Sequence, residues 1–266
     1  KHLKTDILSD VCHLSSVAEL CCGITMFIRC ELAILILALT LDGQVHTGEI
    51  IGGHVAAPHS RPYMAILEST RQNGLKAICG GFLLNEDFVM TAAHCNPSNV
   101  LLGVHDYHKS NEMQRIEVKK KFRHTDYDAK TLNNDIMLLK LESRVNLTKN
   151  VQPITFASHD NGFLPVSCTV AGWGYTIKNK KTFSTVLMEA NVTLTDDEQS
   201  NDCQKNSTYC SKAETGPTHG DSGGPLVCEE GEAYGVVSGG NDEIIVYTKI
   251  AAYTSWIKST MEHHHD

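Results

Sequence analysis

From Tyr63 onward the sequence breaks into short apolar or alternating runs, each ended by Gly, Asn, Asp or Pro, and this cadence constrains the fold more than any other feature. Residues 63–68, 77–84, 88–92, 100–103, 114–122, 136–141, 166–172, 185–194, 226–228, 233–238 and 244–249 all read as strands. Many short strands with turn signals between them predict a β-sandwich or β-barrels. Helical spacing appears only in residues 251–261, where Tyr253, Trp256, Ile257 and Thr260 lie around successive turns, so one C-terminal helix is expected to dock on the second β unit. The 217 residues from Ile50 to Asp266 suit one large β domain or two packed small ones.

The start of the chain has a different character. Met26 is the first methionine, Arg29 follows, and residues 32–41 form an apolar run bounded by Glu31 and Asp42. A short basic start plus about 10 apolar residues fits a secretory h-region and falls short of the ~20 that span a bilayer. Residues 26–47 are therefore read as a signal peptide, with a buried element or an uncleaved anchor as the other readings of the same run. Residues 1–25 are then upstream, non-native sequence.

Composition narrows the function classes. With 41% hydrophobic and 20% charged residues, disorder, collagen and coiled coil are excluded. The formal charge is -8, and from Ile50 onward 20 basic against 25 acidic residues leave -5, so no nucleic-acid partner is expected and storage on a polyanion is disfavoured. Four of the ten cysteines precede Ile50; the remaining six, an even number in an oxidising compartment, suggest three disulfides. No C-x-x-C pair and no finger-like Cys/His spacing occurs among them, so no metal site is expected. The run His263, His264 and His265 reads as a solvated tail.

Three stretches place a reactive group among small residues: Thr91-Ala92-Ala93-His94-Cys95, Asn134-Asp135-Ile136, and Gly220-Asp221-Ser222-Gly223-Gly224-Pro225. A serine hydroxyl needs a neighbouring base to act as a nucleophile, and the base needs an orienting carboxylate. Ser222, His94 and Asp135 supply those roles, and the amides of Gly220 and Ser222 would face a developing oxyanion. No cofactor is required.

These residues, in the order His, Asp, Ser, resemble the trypsin-like (chymotrypsin-fold) serine proteases, and the resemblance runs from Ile50 to about Met261. Ile50-Ile51-Gly52-Gly53-His54, Cys79-Gly80-Gly81-Phe82-Leu83 and Val170-Ala171-Gly172-Trp173-Gly174 agree with it. It implies an all-β fold of two packed six-stranded antiparallel barrels with a C-terminal helix, and disulfides joining Cys79 to Cys95, Cys168 to Cys228 and Cys203 to Cys210. Residues 50–65 look like the granzyme, chymase and mast-cell-protease branch. That branch implies a secreted or granule-stored zymogen and a protease domain from residue 50 to 266. It also implies activation by a dipeptidyl peptidase that removes Gly48-Glu49, after which the new ammonium of Ile50 pairs with Asp221. Protein or peptide substrates, serine protease inhibitors and a monomeric state come with the same resemblance, and no membrane contact follows signal cleavage. A neutral His94 base implies activity that falls below about pH 6 to 7.

The specificity positions depart from the family. Counting from Ser222 puts Gly216 at the base of the primary pocket, and counting from Tyr247-Thr248-Lys249 puts Ile245 on its wall, which implies a shallow site for small or medium apolar residues. Ser238-Gly239-Gly240, the expected substrate-pairing strand, lacks the aromatic residue the family carries at Gly239, which would remove a wall of the cleft. A catalytically weak homologue acting as a binding or decoy module is the alternative. Asn146, Asn191 and Asn206 open N-x-[ST] glycosylation acceptors.

Overall fold

The computed structural model describes residues 50–70, 74, 76–109, 113–160, 162–165, 167–177, 180–195, 203 and 206–264. Residues 1–25, the signal peptide expected at 26–47, Gly48-Glu49 and His265 lie outside the described residues. Residues 47–266 form one compact unit of their own.

Six strands close a first barrel in the order β2-β3-β4-β7-β6-β5: β2 (Met64–Thr70), β3 (Lys76–Leu83), β4 (Phe88–Thr91), β5 (Asn99–Leu102), β6 (Gln114–Arg123) and β7 (Met137–Leu141). Strands β4 and β7 are buried along their whole length, as continuous apolar runs such as Phe88-Val89-Met90 and Met137-Leu138-Leu139 require. A second sheet takes the order β1-β11-β8-β14-β15-β16-β13-β12. Its members are β1 (His54–Val55), β8 (Cys168–Gly172), β11 (Met188–Val192), β12 (Leu194–Thr195), β13 (Thr208–Lys212), β14 (Pro225–Val227), β15 (Ala233–Gly240) and β16 (Ile244–Lys249). The two-barrel expectation is met with one difference: this sheet curls without a complete ring of strand pairs. Only Thr193 separates β11, which pairs with β8, from β12, which pairs with β13, so the chain itself joins the two ends. A hairpin of β9 (Tyr175–Ile177) and β10 (Lys180–Phe183) stands apart.

Helix α1 (Thr254–His263) follows a 3-10 turn at Ile250–Tyr253. Its buried Ile257, with Tyr253 and Trp256, packs into a core cluster shared with first-barrel residues such as Phe88 and Leu139, so the helix joins the two β units rather than serving the second alone. No helix among the described residues is long and apolar enough to cross a membrane.

Three disulfides join Cys79 to Cys95, Cys168 to Cys228 and Cys203 to Cys210. The first closes 16 residues and contributes about 3 kcal/mol in the chain-entropy model; it also fixes the turn carrying His94 to strand β3.

Candidate active site

The site assembles where the two β units meet. In the first barrel Thr91, the last residue of β4, sits opposite Met137, the first of β7, so the residues just after β4 and just before β7 share one end of the barrel. That register brings His94 to Asp135. The His94 Nδ1 lies 2.7 Å from Asp135 Oδ2, and the His94 backbone N–H donates to Oδ1 at 2.9 Å. Asp135 is fully buried while the His94 side chain is 28% exposed, so the carboxylate is shielded and the imidazole faces the cleft.

The second β unit grips the same aspartate with hydroxyls. Ser238 Oγ donates to Asp135 Oδ2 at 2.7 Å, and Thr248 Oγ1 donates to the Asp135 carbonyl at 3.0 Å. Ser238 stands at the irregularity between Val237 and Gly239 in the β15–β16 register, a bulge that re-aims its side chain out of the strand alternation. Asn134, just before the aspartate, adopts φ 55° and is held by the Tyr253 hydroxyl at 2.9 Å and by its own amide donating to the Asp126 carbonyl at 2.8 Å. Thr248, Asn134 and Tyr253 carry no local sequence signal that links them to Asp135.

Ser222 lies on a turn pressed against the first barrel. Its carbonyl accepts the Gly80 N–H at 2.8 Å, and the next residue, Gly223, has φ 84° with no room for a side chain, because a Cβ would meet Thr91 Oγ1 and the Gly80 carbonyl. Two of the sequence motifs, Cys79-Gly80-Gly81 and the glycines after Ser222, therefore meet backbone to backbone. Among the described residues the N–H groups of Gly220 and Ser222 donate to no protein acceptor. No hydrogen bond joins Ser222 to His94; apo sites often hold such contacts long.

Asp221 is 1% exposed, and burial pushes its carboxyl from 3.8 up to about 6 even though the N–H groups of Gly174 and Thr218 donate to it at 2.7 and 2.8 Å. Ile50 is equally buried, in the cluster with Val170 and Ala190, and Ile51 exchanges both backbone hydrogen bonds with Gly216, two residues before Thr218. Both members of the expected pair are therefore buried.

His94 and Ser222 open into a cavity of about 660 Å³. Ser238, Gly239, Gly240 and Ile245 line it as the sequence suggested, together with Ile51, Ala213, Pro217, Val237 and Asp242, which sequence reasoning missed. Gly216 is not among the lining residues, although its backbone pairs with Ile51, which is. Among the described residues no Lys or Arg lines the cavity. At Gly239 a Cβ would lie 3.2 Å from Leu132 Cδ1. Leu132, itself at φ 58°, occupies space that a side chain at 239 would enter. Cys79, Cys95 and His94 lie within 4.8 Å of one another, but the two sulfurs are bonded to each other.

Residues 50–257 match the Trypsin family. The chain belongs to the trypsin family. It is 41% identical to "Granzyme B(G,H)" of Mus musculus over 247 residues, covering 87% of this chain and 99% of that protein. It is 39% identical to "Cathepsin G" of Homo sapiens over 242 residues, covering 86% and 93%. The solved structure described as "Structure of GrC" superposes with a TM-score of 0.74 at 37% identity, covering 80% of this chain and all of the other. As a trypsin-family member of this granzyme-like group, the chain is a serine-type endopeptidase.

Proposed function

We propose that this endopeptidase is made as a precursor, activated by removal of Gly48-Glu49, and cleaves proteins after small or medium apolar residues through Ser222, His94 and Asp135. The observation that carries the reading is the buried chain Ser238–Asp135–His94, which ends in the same cavity as Ser222. Ser222 Oγ attacks the scissile carbonyl while His94 takes its proton, and Asp135 holds the ring with Nδ1–H toward the carboxylate and stabilises the imidazolium. The free N–H groups of Gly220 and Ser222 receive the oxyanion. His94 then protonates the leaving amine, and water releases the acyl-enzyme. Activation creates an ammonium at Ile50 that neutralises Asp221.

Secretion or granule storage, a dipeptidyl peptidase as activator, protease inhibitors as partners, a monomeric state and glycans at Asn146, Asn191 and Asn206 complete the proposal. All three asparagines are exposed, as acceptors must be.

Ile245, Val237, Ala213 and Pro217 give the lining an apolar part that supports the specificity, beside polar groups that include Asp242. A peptide library digested by the chain beginning at Ile50 tests it: cleavage after Ala, Val or Leu is expected, and dominant cleavage after Asp or Lys overturns it. The same assay tests the contact between position 239 and Leu132. Gly239→Trp alone lowers kcat/KM about tenfold, because the ring collides with Leu132, and Leu132→Ala in the same chain recovers most of the loss. Independent, additive effects would contradict that coupling.

A further inference from the structure

We propose that the exposed row Lys119, Lys120, Lys121 and Arg123 on β6 is a second binding site, outside the cleft, that captures an acidic segment of a protein substrate beside the catalytic turn. The inference deepens the proposed endopeptidase reading and rests on it for the cleavage step. Four of the last five residues of β6 are cationic, and all four are exposed. Among the described residues no carboxylate forms an ion pair with any of them. Neighbouring cations are compensated: Arg115 on the same strand pairs with Glu68, and Lys140, opposite Lys120 in β7, pairs with Asp87 at 3.2 Å.

Neutral acceptors hold the row in place instead. Lys121 Nζ donates to Asn96 Oδ1 at 2.7 Å, and Arg123 Nη2 donates to the same atom at 3.4 Å. Arg123 Nε donates at 3.0 Å to the carbonyl of Ala93, the residue before His94. Lys120 Nζ lies 4.8 Å from the centre of the Phe122 ring, which is backed by Phe88 and stacked on His264. Partial desolvation pushes the Lys121 ammonium below its ordinary range, and the Arg123 charge beside it pushes the same way, a repulsion that a bound anion relieves. Cations already ordered lose little further entropy on binding. From Arg123, against the turn of His94, the row runs about 13 Å to Lys119 at about 3.3 Å per residue. An extended peptide repeats its side chains at the spacing of Lys121 and Arg123, so a run of Asp or Glu matches the strand. A short acidic segment feels mainly these neighbours, because charges beyond about 8 Å are screened, whereas a long polyanion also meets the -5 of the whole domain.

Binding is measured without cleavage, by fluorescence anisotropy of a labelled peptide of alternating Glu and Gly on the Ser222→Ala chain beginning at Ile50. Replacing Lys119, Lys120 and Lys121 together by Gln is expected to weaken binding about tenfold, and replacing them by Arg, which keeps the charge, to leave it within about twofold. Arg123 is left in place because it holds the Ala93 carbonyl. Kinetics then use the chain with Ser222 intact and two peptides that share one cleavable apolar sequence, one of them carrying the Glu-Gly segment on a Gly-Ser linker. Capture raises the local concentration of substrate without touching the transition state, so the extended peptide is expected to have a KM about tenfold lower with kcat within about twofold, and the Gln variant to lose that difference. Equal binding by the parent and the Gln variant overturns the proposal, as does an extended peptide with no lower KM. Lysine-dependent binding of a heparin oligosaccharide with none of the Glu-Gly peptide also overturns it, and makes the row a polysaccharide surface. If neither peptide is cleaved, the catalytic reading fails by itself, and the binding arm still decides the row.

Discussion

Asp135→Asn lowers kcat on the order of 10⁴-fold while leaving the fold intact, because the substitution reverses the imidazole rather than removing a contact. The Asp135 Oδ1 faces the His94 backbone N–H, a donor that cannot change, so the amide oxygen takes that place. The amide nitrogen then replaces Oδ2, where Ser238 Oγ and His94 Nδ1 both lie 2.7 Å away. The Ser238 hydroxyl can rotate to accept, but His94 can accept at Nδ1 only by moving its proton to Nε2, the atom that must take the proton of Ser222. The base is blocked at its working end. Peptide-amide turnover by the chain beginning at Ile50, with circular dichroism as the fold control, checks this; a kcat within tenfold of wild type contradicts it.

Removal of Gly48-Glu49 stabilises the domain, and the gain grows between about pH 4 and pH 6. In the uncut chain Asp221 titrates at about 6 because of burial, against 3.8 in an ordinary setting. Between those values the folded state holds a proton that the unfolded state has released, so the stability of the uncut chain falls as pH rises, and the cost is complete above pH 6. Its size is about 3 kcal/mol, from roughly two units of displacement. An ammonium at Ile50 supplies the missing countercharge, returns Asp221 toward an ordinary carboxylate, and loses its effect as it deprotonates above about pH 8. Melting of cut and uncut chains, both carrying Ser222→Ala to prevent self-digestion, is expected to give midpoints that converge near pH 4 and separate by about 5 to 10 °C at pH 7. A separation independent of pH would mean that Asp221 and the new terminus do not interact.

How legible the protein was in its sequence follows from the range of the contacts involved. The long strands around Phe88 and Met137 carry their apolar pattern locally, and their antiparallel register delivers His94 to Asp135 without further information. Strand β13 (Thr208–Lys212) escaped detection because its polar residues are buried only by pairing with β16, and the two-residue β1 exists only against β11. Within the site, Ser238 lines the cavity, and at the bulge in β15 its hydroxyl also reaches Asp135, a contact no local pattern records. Gly216 pairs with Ile51, a contact far away in sequence that no local pattern records. Leu132 fills the space beside Gly239 for the same reason: a residue from one β unit meets a gap in the other, and neither local pattern records it.

The hydroxyls of Ser238 and Thr248 cross from the second β unit to Asp135 in the first, and that of Tyr253 reaches Asn134 from the turn before the helix, so the catalytic geometry depends on both units being docked. The central claim is that this geometry activates Ser222. Labelling by a fluorophosphonate probe measures it most directly, applied to the chain beginning at Ile50 and to the same chain with Ser222→Ala. Rapid labelling of the first and none of the second is the predicted result. A folded wild-type chain that takes up no probe, or a Ser222→Ala chain labelled as fast as wild type, would contradict the account.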